Sequence, residues 1–267
     1  MTSLMKLMVN NYNEILEVKK ARYVDDWFLM GSPIPVLSIL GVYLLFVLKL
    51  GPKMMASRPA FQLTNTLIVY NAFQVLYSIW LVLMSRNFDF IGSIFSHACG
   101  IRPEFQENNA QYMILASSWW YFFAKIIELL DTIFFVLRKK QNQVTFLHVY
   151  HHSLTALFSW GYLKFLPSEQ GVLLAFINSI VHIVMYTYYL IAAMGPEYRK
   201  YLWWKKYMTW IQLIQFGIML TYLMTILFMD CNMPKALTYF FAANITILVF
   251  LFGDFYRKAY ILNKKKI

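Results

Sequence analysis

Seven stretches of the chain consist largely of apolar residues, and polar residues separate them. The stretches cover residues 34–50, 66–84, 113–137, 144–163, 171–193, 207–229 and 236–256. As helices rising about 1.5 Å per residue, each could cross most or all of the roughly 30 Å of hydrocarbon in a bilayer. The pattern therefore predicts an all-α integral membrane protein with seven transmembrane helices.

The composition supports this prediction. The 267 residues are 60% hydrophobic and 14% charged, and the mean hydropathy is +0.50. These values leave too few polar side chains to cover a soluble globule of this size. Residues 1–27 lack the basic, apolar and small-residue zones of a cleavable secretory signal, so we expect the first span to direct insertion itself.

Lys and Arg are unequally divided between the two sides that seven spans would create. One set of connections is shorter and richer in these residues; it consists of 51–65, 138–143, 194–206 and the tail that begins at 257. The positive-inside rule places this set in the cytoplasm. Much of the net charge of +11 then reflects orientation, and nucleic acid is not an expected partner.

This orientation divides the chain into a luminal N-terminal segment (1–33), a seven-span membrane domain (34–256) and a basic cytoplasmic tail (257–267). The tail ends in KKKI, which resembles a dilysine retrieval signal of the endoplasmic reticulum; a basic tail obeying the positive-inside rule is the alternative. In that organelle Cys99 and Cys231 would both face the oxidising lumen. We expect a disulfide between them, with two unpaired cysteines as the alternative.

Polar side chains interrupt four of the apolar stretches, although an ionisable group costs at least a few kcal/mol to bury in lipid. Helical spacing places the members of each group on one face. The groups are Lys125, Glu128 and Asp131 in the third stretch, His148, His151 and His152 in the fourth, Asn178, His182 and Tyr189 in the fifth, and Thr209, Gln212 and Gln215 in the sixth.

Successive helices run in opposite directions, which brings these faces to a similar depth. Counted from the cytoplasmic ends, Asp131, His151, His182 and Gln215 lie roughly 7–17 Å into the bilayer. We therefore predict a shared cavity in the cytoplasmic half, where the side chains can satisfy one another.

Two of the groups also have a structural interpretation. Gln212 and Gln215 could simply join helices through hydrogen bonds. Lys125, Glu128 and Asp131 could form an ion-pair network that holds the third helix in place. Three histidines within five positions are harder to explain by packing alone.

Histidine clusters serve metal binding, proton transfer or nucleophilic catalysis. The HxxHH spacing at 148–152 is similar to that of membrane desaturases and hydroxylases, whose di-iron sites need about eight histidine or carboxylate ligands. The chain has 5 histidines, and His97 falls in a luminal connection. A single zinc ion held by three histidines and Glu128 or Asp131 stays open as an alternative.

Acyl transfer would need an unusual nucleophile in this chain. Both cysteines fall on the luminal side, and no Gly-x-Ser-x-Gly motif occurs. An imidazole whose second nitrogen is held by an acceptor can itself attack a thioester. A histidine-bound acyl intermediate is therefore the alternative to a metal centre.

Four motifs, in this order, resemble those of the very-long-chain fatty acid elongases. They are KxxExxDT at 125–132, HxxHH at 148–152, NxxxHxxMYxYY at 178–189 and TxxQxxQ at 209–215. GPKMM at 51–55 and FGDFYRKAY at 252–260 are similar to further family segments. SRPAF, which follows shortly after GPKMM, differs slightly from the sequence that is most common in the family. The chain is thus identified as a member of the 3-ketoacyl-CoA synthases of the endoplasmic reticulum membrane.

The resemblance implies a reaction in which a long-chain acyl-CoA condenses with malonyl-CoA. The reaction releases CO₂ and CoA and gives a 3-ketoacyl-CoA two carbons longer. The implied fold has six helices around a narrow substrate tunnel with the first span outside, and the implied mechanism uses no metal or other cofactor. The expected partners are both CoA thioesters and the lipid bilayer, with other elongation-cycle enzymes and a second copy of the chain as further candidates.

The motif match also implies roles for individual residues. His151 would accept the acyl group from the thioester, and His182 would orient or activate malonyl-CoA. The residues expected to complete the catalytic group are His148, His152, Asn178, Asp131, Glu128 and Lys125. The side chains expected to contact substrate within the chamber are Tyr186, Tyr189, Gln212 and Gln215.

Positive charge at the cytoplasmic mouth would neutralise the phosphates of CoA. This electrostatic expectation concerns Arg138, Lys139, Lys205, Lys206 and Lys258. A seven-helix lipid-binding receptor or transporter is the non-enzymatic alternative, and such a protein would not need a histidine cluster.

Overall fold

The computed structural model describes residues 24–85, 109–165, 169–229 and 235–262. Every regular element within these ranges is helical. The α-helices are α1 (Ile34–Leu45), α2 (Gly51–Ala56), α3 (Thr64–Met84), α4 (Asn109–Ile127), α5 (Leu130–Leu137), α6 (Phe146–Phe165), α7 (Glu169–Ala193), α8 (Lys205–Phe228) and α9 (Lys235–Tyr256). Short π and 3₁₀ segments occupy Phe46–Leu50, Gln141–Gln143, Pro196–Leu202 and Arg257–Leu262.

Five helical stretches are long and apolar enough to cross a membrane. They are Ile34–Ala56, Thr64–Met84, Gly171–Ala193, Lys200–Phe228 and Thr238–Leu262. Large apolar side chains on these helices, such as Val69 and Phe250, are exposed, as expected of surfaces in contact with lipid. The protein is therefore a multi-pass integral membrane protein. Helices α4, α5 and α6, which carry Lys125, Asp131 and the three histidines of the HxxHH motif, are not among the five.

The first span is longer than the sequence predicts. Its helix continues past residue 50 through a π-helical turn and ends at Ala56, because the wide turn accommodates Pro52, which lacks an amide hydrogen. In this turn the Gly51 amide donates to the Phe46 carbonyl. A Cβ atom at Gly51 would lie 2.6 Å from Val136, so the glycine permits the close approach of α2 and α5.

The third apolar stretch is not one continuous helix, contrary to the prediction. Helix α4 ends at Ile127 and α5 begins at Leu130. Between them the amides of Leu129 and Asp131 donate to the carbonyls of Ile126 and Glu128, three residues back. This tightening brings side chains three residues apart into closer alignment, at the point where the ionisable residues lie.

The helices pack in a defined set of neighbours. Helix α3 packs along α7, α7 against α8, α8 along α9, α9 against α6, α6 against α4, and α4 against α3. Helix α1 contacts α6, and α2 contacts α5. One buried cluster joins α1 to α4, α5 and α6 and includes Val36, Phe122 and Val136. A second cluster, including Phe216 and Ile245, joins α8 to α9.

The residues before α1 are tied to one end of α6. The Trp160 indole nitrogen donates to the Leu29 carbonyl at 3.0 Å. The buried Lys164 ammonium donates to the Met30 carbonyl at 2.7 Å and forms an ion pair with Asp25. The sequence interpretation placed Lys164 in a connection, whereas the structure places it in the last turn of α6, where its charge is compensated.

Candidate active site

Glu128 is the centre of a buried ionic cluster between α4 and α7. Its carboxylate lies 2.8 Å and 3.1 Å from the Lys125 ammonium through its two oxygens. The same carboxylate lies 3.1 Å from Nδ1 of His182. All three residues are buried. The cluster links the first and third predicted motifs, which are far apart in the sequence.

Asn178 extends this cluster by one residue. Its side-chain oxygen accepts hydrogen bonds from the Lys125 ammonium at 2.7 Å and from the Tyr121 hydroxyl at 2.9 Å. Asn178 and His182 are four residues apart on α7, so they share one face of that helix. The sequence analysis did not single out Tyr121, although its spacing of four from Lys125 would have placed it on the same face.

The contact with Glu128 defines the protonation of His182. An ionised carboxylate only accepts hydrogen bonds, so the imidazole nitrogen that faces it, Nδ1, carries the proton. In the neutral ring, Nε2 then keeps its lone pair. This carboxylate–imidazole arrangement is the one that orients a histidine for proton transfer or nucleophilic attack.

Asp131 does not join the ion pair, although the sequence groups it with Lys125 and Glu128. Its carboxylate accepts a hydrogen bond from the Tyr186 hydroxyl at 2.7 Å. Tyr70, whose ring centroid lies 6.2 Å from that of Tyr186, accepts a hydrogen bond from Gln74 at 2.9 Å. The polar interior thus continues from Glu128 towards α3 through tyrosines.

The three histidines of α6 lie side by side. The ring centroids of His148 and His152 are 4.3 Å apart, and those of His151 and His152 are 5.5 Å apart. Nε2 of His148 is buried and has no hydrogen-bond partner among the described residues. His152 is buried, whereas His148 and His151 are half-buried.

His151 faces aromatic side chains of the neighbouring helices α8 and α9. Its ring centroid lies 6.4 Å from that of Phe216 and 6.1 Å from that of Phe252. The Thr155 hydroxyl lies 3.5 Å from Nδ1 of His151 and donates to the His151 carbonyl at 2.6 Å. The His151 ring is therefore held mainly by packing against aromatic rings and by the long contact with the uncharged Thr155 hydroxyl.

A cavity of about 110 Å³ opens beside His151. Its walls come from α4, α6, α7, α8 and α9, and Asn178 and Gln215 line it together with His151. His151 and Tyr162, which also lines the cavity, are separated by about 16 Å of helix α6. The cavity therefore extends from the polar cluster into an apolar region between the helices.

Aromatic residues surround the cavity at its Tyr162 end. The ring centroid of Phe241 lies 5.4 Å from that of Tyr162 and 5.3 Å from that of Phe158. Gly171 lies against the Tyr162 ring, and a Cβ atom there would come within 2.3 Å of it. The sequence analysis did not identify this aromatic group, since bulky apolar residues are common in every span.

The two glutamines of α8 differ in their surroundings. Gln215 is buried and lines the cavity; its side-chain nitrogen makes only a 3.8 Å contact with the Met219 sulfur, and its oxygen has no partner among the described residues. Gln212 contacts the Met185 sulfur at 3.7 Å. Tyr189 does not line the cavity; its ring packs 6.1 Å from that of Tyr186.

Most of the basic residues predicted at the mouth are exposed. They are Lys139, Lys205, Lys206 and Lys258, while Arg138 is half-buried. The Lys258 ammonium lies 2.6 Å from the Asp254 carboxylate, so part of its charge is already compensated. Cys99, Cys231 and the KKKI terminus lie outside the described residues.

The described residues include four histidines and several acidic side chains, the residue types that bind metal ions. Among them, no three histidine, cysteine or acidic side chains are arranged to hold a metal ion. His182 is hydrogen-bonded to Glu128 through Nδ1, and the rings of His148 and His152 contact each other at an interplanar angle of 51°.

The fold and the site define a class: a multi-pass membrane protein with a buried imidazole–carboxylate cluster beside an elongated apolar cavity. The family model described as ELO, the GNS1/SUR4 family, matches residues 28–267. The chain belongs to this family.

Curated relatives support this assignment. The chain is 43% identical over 243 residues to very long chain fatty acid elongase 7 of Rattus norvegicus, covering 89% of this chain and 84% of the relative. It is 39% identical over 261 residues to very long chain fatty acid elongase 7 of Drosophila melanogaster, covering 96% and 77%. A very long chain fatty acid elongase of Aedes aegypti is 41% identical over 242 residues, covering 90% and 67%. At the level of the family, the activity is fatty acid elongation.

Proposed function

We propose that the protein is the condensing enzyme of fatty acid elongation. It joins a long-chain acyl-CoA to malonyl-CoA and releases CO₂ and CoA, giving a 3-ketoacyl-CoA two carbons longer. The observation that carries the proposal is the position of His151: a histidine of the HxxHH motif lies in the wall of an elongated apolar cavity, beside the Glu128 cluster. An acyl chain could lie in this cavity with its thioester at the histidine.

The first half-reaction transfers the acyl group to His151. The lone pair of one ring nitrogen attacks the thioester carbonyl carbon, so a C–N bond forms and the C–S bond breaks. The departing CoA thiolate takes the proton released from the imidazole. His151 is the one histidine among the described residues that lines the cavity, which supports its assignment as the acyl acceptor.

The second half-reaction forms the new carbon–carbon bond. Malonyl-CoA loses CO₂, and the carbanion left behind attacks the acyl carbon. The C–N bond then breaks, and the imidazole recovers a proton from solvent. His182, oriented by Glu128 at 3.1 Å, is suited to position the malonyl group, since its Nε2 is free of the carboxylate.

The proposal includes the placement of the enzyme in the membrane. Seven spans cross the endoplasmic reticulum membrane, with α4 and α5 forming the third and α6 the fourth. Six of them surround the acyl tunnel, and the first span, α1 to α2, lies outside. The N-terminus is luminal, and the basic groups of the cytoplasmic side, Lys139, Lys205, Lys206, Lys258 and Arg138, neutralise the phosphates of CoA.

The proposal is tested with purified protein and acyl-CoA in the absence of malonyl-CoA. We expect release of one CoA per active site and an acyl adduct on the peptide that contains His151, detected by mass spectrometry. Adding malonyl-CoA should discharge the adduct as 3-ketoacyl-CoA. His151→Ala protein that retains full condensation activity would refute the assignment of the nucleophile, and wild-type protein that gives no 3-ketoacyl-CoA with any acyl chain length would refute the function.

A further inference from the structure

We infer that the side-chain amide of Asn178 donates a hydrogen bond to the carbonyl oxygen of the acyl thioester and stabilises the oxyanion formed there. This inference rests on the proposed function and adds a catalytic role for Asn178. The motif match alone placed Asn178 in the catalytic group without a contact to the substrate.

The orientation of the Asn178 side chain is chemically determined. Lysine can only donate hydrogen bonds, so the Asn178 atom that lies 2.7 Å from the Lys125 ammonium must be the oxygen. The Tyr121 hydroxyl donates to the same oxygen at 2.9 Å. Two donors from α4 therefore fix which way the side chain faces, and the –NH₂ group, bonded to the same amide carbon, faces away from these donors.

This –NH₂ group has no acceptor within the described protein. Asn178 is buried and lines the cavity together with His151, yet no described residue accepts a hydrogen bond from its nitrogen. The nitrogen is not one of the fully enclosed side-chain atoms that lack a partner, so it is reached from the cavity that Asn178 lines, where a ligand can accept its hydrogen bond. The ligand that occupies this cavity beside His151 carries a thioester carbonyl.

The environment also strengthens Asn178 as a donor. The ammonium of Lys125 withdraws electron density through the amide oxygen, which makes the N–H groups on the other side more acidic. Glu128 compensates the charge of Lys125 at 2.8 Å, so the arrangement is stable before substrate binds. A donor that is already fixed in place needs no reorganisation when negative charge develops on the substrate.

The step in which Asn178 acts is the attack of His151 on the thioester. As the C–N bond forms, the π electrons of the carbonyl move to its oxygen, where the Asn178 N–H group stabilises the negative charge. The oxyanion then collapses, the C=O bond re-forms, and the C–S bond to CoA breaks. Lys125 and Tyr121 are positioning residues, because they act only through Asn178.

Single-turnover acylation tests the inference. Wild-type protein is mixed with palmitoyl-CoA or stearoyl-CoA without malonyl-CoA, and the rate of CoA release is measured. Asn178→Asp keeps the shape and both contacts of the oxygen, but it replaces the donor with an oxygen that shares a negative charge; we therefore expect acylation to slow by at least the roughly 100-fold that is usual for losing one oxyanion donor. The control is Asn71→Ala, since Asn71 is also buried but its nitrogen donates to the Leu67 carbonyl at 2.7 Å, away from the cavity.

A spectroscopic measurement separates a catalytic donor from a structural residue. The probe is a ¹³C-labelled ketone analogue of palmitoyl-CoA, in which a methylene between carbonyl and sulfur prevents transfer. We expect the bound carbonyl stretch to lie at lower frequency in wild-type and Asn71→Ala protein than in Asn178→Ala protein.

Three outcomes decide the matter. Asn178→Asp protein that acylates within threefold of wild type, or equal carbonyl frequencies in the wild-type and Asn178→Ala proteins, would overturn the role of Asn178 while leaving the proposed function intact. Wild-type protein that releases no CoA and forms no adduct would overturn the proposed function and, with it, this inference.

Discussion

The polar interior has two regions, which differ in how many of their charged and hydrogen-bonding groups have a partner within the protein. Between α4 and α7, Lys125, Glu128 and His182 contact charged or polar partners at 2.8–3.1 Å. On α6 and α8, the buried Nε2 of His148 and the buried side-chain oxygen of Gln215 have no partner among the described residues. The ions of the first region are therefore paired by the protein itself, which leaves the –NH₂ group of Asn178 as its open donor, whereas the second region offers several groups that a ligand can satisfy.

The largest expected effect comes from breaking the satisfied region at its centre. Glu128→Ala leaves the Lys125 ammonium buried without a counter-charge and removes the acceptor that orients His182. Loss of one partner of a buried ion pair costs about 3–5 kcal/mol. We expect a large fall in the thermal unfolding temperature in detergent, together with loss of condensation activity.

A double variant separates stability from chemistry at this position. Replacing both charges, as Lys125→Met/Glu128→Leu, removes the uncompensated ion, and such replacements are often neutral or stabilising. We expect the unfolding temperature to recover while activity stays lost, because His182 and Asn178 both lack their partners. Recovery of activity in the double variant would show that the ionic cluster is only structural. Asp254→Asn, at an exposed ion pair with Lys258, serves as a control and should change stability little.

Two buried glutamines, Gln74 on α3 and Gln215 on α8, extend this comparison to single amide groups. The side-chain nitrogen of Gln74 donates to the Tyr70 hydroxyl at 2.9 Å, whereas the oxygen of Gln215 has no described partner. Gln74→Leu should destabilise the protein by about 1–3 kcal/mol, because Tyr70 loses a partner. Gln215→Leu should leave the stability of the substrate-free protein unchanged or raise it, while weakening activity.

The measurement is thermal unfolding of both variants, followed by steady-state kinetics. The comparison predicts a loss of stability for Gln74→Leu and no loss of stability for Gln215→Leu. If Gln215→Leu destabilised the protein as much as Gln74→Leu, the oxygen of Gln215 would have a partner within the protein. It would then not be a group that a ligand in the cavity satisfies.

Motif spacing predicted the satisfied region better than the cavity. The step of three from Lys125 to Glu128 matches their contact in the structure, because side chains three residues apart on a helix are neighbours, whereas the next step, to Asp131, does not lead to the same cluster. The break after Ile127 and the turn of Asp131 towards Tyr186 could not be predicted, since they depend on packing against α3 and α7. The contribution of Tyr121 was visible in principle, but tyrosine is too common in this chain to stand out.

The aromatic end of the cavity was likewise not predictable from the sequence. Phe158, Tyr162 and Phe241 come from two helices that are far apart in the sequence. Apolar spans contain many aromatic residues that contact lipid, and periodicity alone does not separate these from residues that line a cavity. The decisive feature is the close contact of Gly171 with Tyr162, which requires coordinates.

A smaller effect is expected at this aromatic end, where the cavity could be shortened. A Cβ atom at Gly171 would lie 2.3 Å from the Tyr162 ring, so Gly171→Ala forces the ring to move. Alanine favours the helix by about 1 kcal/mol, which partly offsets the cost of crowding. If the displaced ring enters the cavity, the products should shift towards shorter acyl chains with little change in stability. The product lengths are measured by gas chromatography of the elongated acyl groups.

Gly161→Ala is the control, because a Cβ atom at this position would meet open space; it should leave the product profile unchanged. An unchanged profile in Gly171→Ala would mean that Tyr162 does not limit the length of the acyl chain.

The smallest effect should come from the neutral contact at His151. His182 is oriented by a carboxylate at 3.1 Å, whereas Nδ1 of His151 has only the Thr155 hydroxyl at 3.5 Å. Thr155→Val removes that hydroxyl, and Thr187→Val is a matched control, since Thr187 also donates to the carbonyl four residues back but touches no histidine in the described structure. A weak neutral hydrogen bond contributes about 0.5 kcal/mol, so we expect acylation by Thr155→Val to fall by only about twofold relative to the control. If Thr155→Val, but not Thr187→Val, slowed acylation 100-fold, the contrast between the two histidines would be wrong. Thr155 would then orient His151 as strongly as Glu128 is expected to orient His182.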